Sequence, residues 1–103
     1  MRFNKENSIA AVNEYRNDHG ILSQATVMIK RYGSNSICKK NCEIFVGVGQ
    51  YGHHNMPHVS INYETDYDCM YVEMEYDDDM LTIYDNNTII EIIPHSTKNE
   101  EDE

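Results

Sequence analysis

Two short polar turns, Asp78-Asp79 and Asn86-Asn87, set between runs of alternating apolar and polar residues, constrain this chain more than any other feature. If Asp78-Asp79 is a two-residue hairpin turn, Asp77 opposes Met80, Glu75 opposes Thr82 and Glu73 opposes Tyr84. Val72, Met74 and Tyr76 then share the other face with Leu81 and Ile83. If Asn86-Asn87, whose side chains tolerate positive φ, is the next turn, Ile83 meets Ile90 and Leu81 meets Ile92. Both turns bury the same residues, and a one-residue slip in either would mix the faces. The pattern therefore predicts a three-stranded meander whose outer face carries Tyr71, Glu73, Glu75, Thr82, Tyr84, Ile89, Glu91 and Ile93.

Upstream, Ser8 or Asn7 can cap a helix of about three turns with Ile9, Val12 and Arg16 on one face, and Gly20 supplies its stop. Alternation over Ala25 to Tyr32 and Val59 to Glu64, and the β-branched and aromatic run Ile44 to Val48, predict three further strands. Gly33 to Asn41 and Gly49 to Pro57 read as loops. The expected fold is α+β: a short N-terminal helix followed by an antiparallel sheet of about five to six strands ending in the meander. A chain of 103 residues is read as one domain over residues 1–97, with the charged stretch 98–103 a disordered tail.

Charge is distributed unevenly over this frame. Residues 1–63 hold four acidic and seven basic side chains, whereas residues 64–103 hold fourteen acidic and one basic, Lys98. From Glu64 to Thr97 there is no Lys or Arg, although the stretch is patterned as a folded sheet. A packed domain that concentrates one sign of charge must tolerate self-repulsion, and a cationic partner is the economical reason to do so. Carboxylates beside Tyr84, Ile89 and Ile93 also differ from the mixed-sign surface that solubility alone requires. The candidate partner-binding residues are Glu64, Asp66, Asp68, Tyr71, Glu73, Glu75, Asp77, Asp78, Asp79, Tyr84 and Glu91. Such acidity argues against direct contact with nucleic acid or an anionic membrane. An odd number of Cys and a polar start at Met1 to Glu6 are read as a cytoplasmic protein without a signal peptide.

Other chemistry finds less support. Glu64, Asp66, Asp68 and Glu75 fall at EF-hand ligand positions, but Cys69 stands where that loop needs Gly and the flanks read as strands. A looser divalent site among Glu64, Asp66, Asp68 and the three consecutive Asp residues, or a Cys₂His₂ site from Cys38, Cys42, His54 and His58, stays open as an alternative to a polar loop and ordinary thiols. No phosphate loop or nucleophile elbow is present, and Gly47-Val48-Gly49 lacks a following helix. The expectation is a protein that is not an enzyme and uses no cofactor.

Through Glu64-Thr-Asp-Tyr-Asp68 and Glu73-Met-Glu-Tyr-Asp-Asp-Asp79 the chain resembles the small acidic single-domain proteins that phages encode against host defences, the anti-CRISPR and DNA-mimic proteins. The resemblance implies a stoichiometric inhibitor of a nucleic-acid-processing enzyme, such as a Cas effector, in the host cytoplasm. An immunity protein against a basic nuclease toxin shares the same electrostatics. A phage assembly protein would instead form a symmetric homodimer or larger oligomer burying Ile89 and Ile93.

Overall fold

A computed structural model describes residues 5–51, 54–62, 66–69 and 72–95. One helix, α1 (Lys5–His19), precedes seven strands: β1 (Leu22–Arg31), β2 (Ile37–Tyr51), β3 (His54–Asn62), β4 (Asp66–Cys69), β5 (Glu73–Asp77), β6 (Met80–Asp85) and β7 (Thr88–Pro94). All pairings are antiparallel and the spatial order is β4-β3-β2-β1-β7-β6-β5. The α+β class is as expected, with more strands than the five to six predicted. The proposed tail, residues 98–103, lies outside the described residues.

The meander has the register that the two turns dictate. Glu73 pairs with Tyr84, Glu75 with Thr82 and Asp77 with Met80, while Ile83 pairs with Ile90 and Leu81 with Ile92. Asp78 and Asp79 both take positive φ (55° and 64°), the backbone of a tight primed hairpin turn, and Asn86 does so in the next turn (φ 53°).

The differences lie upstream. Strand β4 falls in the acidic stretch weighed as a metal loop; four residues, two of them Asp, give too short an alternation to read as a strand. Strand β2 extends into both predicted loops. It begins at Ile37, opposite Ile29, and absorbs one extra residue where the register shifts between Ala25 and Val27, with Asn41 at φ 65°. At its far end Tyr51 pairs with His54, so Gly49 to Pro57 is a hairpin and not a long loop. Pro57 is tolerated in β3 because it lies beyond the pairs that β4 makes among the described residues, which involve residues 59–62.

Helix α1 already runs at Lys5, so neither Asn7 nor Ser8 is its cap. Its fifteen residues make about four turns. Its buried stripe is Ser8, Ala11, Val12 and Tyr15, one residue out of step with the Ile9, Val12, Arg16 face, because Tyr15 offers the largest apolar area and sets the rotation. Gly20 ends it as expected: at φ 90° its N–H donates to the Arg16 carbonyl at 2.8 Å.

The stripe packs into the hollow of a half-barrel. Seven strands laid flat would span about 29 Å at ~4.8 Å per spacing. Yet the two outermost strands, β4 and β5, are joined by residues 70–72 alone, a connection that can cover at most about 14 Å from Cys69 to Glu73. The sheet must roll. Its inner face supplies Ala25, Val27, Ile29, Cys42, Ile44, Val46, Val59, Ile61, Cys69, Met74, Leu81, Ile83, Ile90 and Ile92, closed over by Ala11, Val12 and Tyr15.

Ser8 secures the helix to the edge strand, its Oγ accepting the Met74 N–H at 2.9 Å in a buried contact. Replacing Ser8 with Ala raises helix propensity but leaves that N–H unsatisfied, a cost of about 1–3 kcal/mol. The expected result for Ser8→Ala is a lower urea midpoint with an unchanged m value. A midpoint at or above wild type would show that the bond contributes nothing.

Candidate functional site

The outer, convex face of the sheet is built in rows across the strands. Glu73, Tyr84, Ile89 and Lys30 form one row, and Glu75, Thr82, Glu91 and Met28 the next. The Tyr84 hydroxyl donates to Glu75 Oε1 at 2.9 Å. Acceptance of its proton by Glu75, then burial, then the charges of Glu75, Glu91 and Glu73 hold the Tyr84 phenol above its ordinary pKa. The three carboxylates thus surround one phenol. Ile89 and Ile93 lie on the same face, 38% and 39% exposed, which makes them available for contact.

Lys30 corrects the picture of a face without cations: its Nζ lies 3.1 Å from Glu91 Oε1. That cation was invisible to the sequence because nothing in β1 shows that it pairs with β7. Glu14 on α1 was missed for a similar reason. With Asn7, Ala10 and Ala11 it faces Glu73, Glu75, Tyr76 and Tyr84 across a groove of ≈ 390 Å³ around the edge of β5. The acidic surface therefore continues from the sheet onto the helix.

The remaining predicted residues are dispersed. Glu64 and Tyr71 lie outside the described residues. Asp66 pairs with Asn62 at the start of β4. Asp68 is exposed on the opposite edge strand from Glu73 and Glu75, with Oδ1 3.4 Å from His58 Nε2; hydrogen bonds from Ser60 first and His58 second hold its carboxyl below the usual range. Asp77 and Asp78 are exposed at the β5–β6 turn.

Asp79 turns the other way, to the C-terminal end of α1. Its Oδ1 lies 2.7 Å from His19 Nε2 and accepts from the Tyr76 hydroxyl at 2.9 Å. The same hydroxyl lies 2.7 Å from Asp18 Oδ2 and 3.2 Å from His19 Nε2. The His19 ring is held between Tyr15, at 4.9 Å between centroids, and the edge of Tyr76, at 6.4 Å, and the Tyr15 hydroxyl pairs with Ser23 Oγ at 2.9 Å. Burial, with the neighbouring carboxylates, pushes the Tyr76 phenol strongly upward. His19, read from sequence as an ordinary helix-end residue, is the centre of this cluster.

The Cys₂His₂ arrangement does not assemble. Cys42 is buried on the inner face, its Sγ donating to the Lys39 carbonyl at 3.5 Å, whereas His58 stacks edge-on against Phe45, 6.0 Å between centroids, on the outer face. The His54 side chain lies outside the described residues. Burial, reinforced by the charges of Asp85 and Asp68, pushes the Cys69 thiol up to about 12. At pH 8 only about one Cys69 in 10⁴ is then a thiolate. Native protein should take up one alkyl label, on exposed Cys38, and three in urea. Labelling of Cys69 without unfolding would contradict its placement in the core.

The Asp79 carboxyl is held below its ordinary 3.8, first by His19 and then by Tyr76. A depressed carboxyl contributes stability above its unfolded pKa and loses it as pH falls through the folded value. Asp79→Asn should therefore flatten the fall of the urea midpoint as pH drops through and below the ordinary carboxyl value of 3.8. An unchanged slope would mean that the contact does not persist in solution.

The chain matches no protein-family model, and comparison with curated proteins and with solved structures finds no significant similarity.

Proposed function

We propose that this is a stoichiometric binding protein, an inhibitor of a nucleic-acid-processing enzyme such as a Cas effector, that seats its acidic convex face in a cationic DNA- or RNA-binding channel. One observation carries the reading: Glu73, Glu75 and Glu91 are gathered around Tyr84 on the same face as half-exposed Ile89 and Ile93. Carboxylates about 6.7 Å apart along a strand and about 4.8 Å per strand across it repeat on the scale of backbone phosphates. A tyrosine within such a patch has the amphipathic character of an interface anchor. Charge steers the encounter, and the apolar residues hold the complex once water is expelled.

Asp77, Asp78 and Glu14 extend the anionic surface around the end and edge of β5. Asp79 is a poor probe of this reading, because reversing its charge would also break its contacts with His19 and Tyr76. Glu73 and Glu75 are better probes, since they stand on the outer face of a strand whose core side chain is Met74, and the Tyr84 bond that reversal of Glu75 removes lies on the exposed surface and does not join helix to sheet.

The test is capture from host extract by wild type and by a Glu73→Lys/Glu75→Lys variant with unchanged circular dichroism. Wild type should retain basic nucleic-acid-binding proteins, release them with added duplex DNA or moderate salt, and lose at least tenfold in affinity on double reversal. Retention that is indifferent to the reversal and to DNA would remove the proposal. A salt-independent dimer that buries Ile89 and Ile93 would replace it with self-assembly.

A further inference from the structure

The cluster at the end of α1 is separate from the convex face and goes beyond the reading of that face. Three ligand-bearing side chains converge there from two places in the chain: Asp18 and His19 from the last turn of the helix, and Asp79 from the β5–β6 turn. One atom from each, two carboxylate oxygens and an imidazole nitrogen, lies within 4.8 Å of the others. The Tyr76 hydroxyl sits among them.

Counting protons shows what this arrangement lacks. Four contacts of 3.2 Å or less join Tyr76 Oη, His19 Nε2, Asp18 Oδ2 and Asp79 Oδ1. The phenol brings one proton, and Nε2 at most one. If the phenol donates to Asp18 and Nε2–H donates to Asp79, the Tyr76 and Asp79 oxygens face each other at 2.9 Å with no proton between them. If the phenol donates to Asp79 instead, the 2.7 Å contact with Asp18 is left bare. In either arrangement one of the short contacts has no proton of its own.

The cluster also lies at the end of the helix where a cation is favoured. The C-terminal end of a helix carries the negative end of the macrodipole, which favours cations and disfavours carboxylates. Here two carboxylates are held at that end. Of the two basic residues of the last turn, His19 belongs to the cluster, and Arg16 is turned back to Asn13, with Nη2 3.3 Å from Asn13 Oδ1.

We propose that Asp18, His19 and Asp79 bind one divalent transition cation of the Zn²⁺ class. A mixed set of one imidazole and two carboxylates suits Zn²⁺ and its neighbours, whereas Mg²⁺ and Ca²⁺ prefer oxygen alone. Ligand atoms 2.0–2.1 Å from a tetrahedral ion stand about 3.3 Å apart, so the widest pair must close by roughly 1.5 Å. Rotation of exposed Asp18 can supply this. His19 needs no search, because Tyr15 and Tyr76 already fix its ring with Nε2 facing the carboxylates. Tyr76 hydrogen-bonds Asp18, in the manner of groups that orient a ligating carboxylate. The fourth position is left for water, and the ion ties the helix end to the β5–β6 turn.

The test uses the full chain without an affinity tag, stripped with EDTA and titrated with ZnCl₂ by calorimetry and with Co²⁺ by visible absorption. The expected result is one saturable equivalent, a Co²⁺ d–d band and a rise in melting temperature with Zn²⁺. Asp18→Asn, His19→Gln and Asp79→Asn should each weaken binding at least tenfold, and Cys38→Ser should leave it unchanged. Asp18→Asn keeps the test decisive should the other two disturb the fold, because Asp18 is exposed and its described bond is to Tyr76 alone. Absence of saturable binding, wild-type affinity in Asp18→Asn, or loss of binding in Cys38→Ser would each overturn the proposal.

Discussion

The rest of the structure depends on one covalent constraint: the two edge strands of the sheet are consecutive in the chain and joined by three residues. A sheet with its edges tied together cannot lie flat. Once it rolls, its inner face becomes a trough too narrow for a second sheet and well suited to one helix, whose diameter with side chains is about 10–12 Å. The only helix among the described residues fills it, and a stripe as narrow as Ser8, Ala11, Val12 and Tyr15 is enough because the strands supply most of the core.

Rolling also explains why polar groups of the helix matter more than their number suggests. Strand β5 is an open edge, and an open edge invites strand pairing with other chains. Ser8 occupies one of its outward donors, and the Asp79 turn beyond it is tied to His19. The helix is thus held at both ends against the same strand and its turn. It is also at this closure that α1 contributes Glu14 to the acidic groove and Asp18 and His19 to the cluster.

What could be read from the sequence was decided by how local each determinant is. The meander was legible residue by residue, because a two-residue turn fixes register and the side-chain period of two carries it along the strand. Gly20 was legible as a helix stop, since the positive φ it adopts is a local property. The helix rotation was not: Ile9 and Tyr15 differ by a frame that only the shape of the trough decides. Lys30 beside Glu91 and Asp79 beside His19 are contacts across 61 and 60 positions of sequence, made by chain order that no local pattern states. Of the candidate binding residues, those on the meander share a face as read, Asp68 stands on the other edge strand, and Asp79 turns to the helix end.

Magnitudes decide how much the charge itself contributes. Glu73 and Glu75, about 6.7 Å apart, repel by roughly 0.6 kcal/mol in water, and each more distant pair with Glu91 adds about 0.4 kcal/mol before salt screening. Screening over a Debye length of about 8 Å reduces the sum to below about 1 kcal/mol, and Lys30 offsets part of that. A fold that buries Ile44, Ile61, Ile83, Ile90 and Ile92 completely bears such a cost easily. Self-repulsion is therefore too cheap to demand a partner. The weight falls on the apolar side chains: two isoleucines and a tyrosine kept on the same surface as three carboxylates serve solubility no better than Thr or Lys would, and on association their burial contributes on the order of 1 kcal/mol or more apiece. In the proposed complex, charge would set which surfaces approach, and Tyr84, Ile89 and Ile93 would set whether they stay.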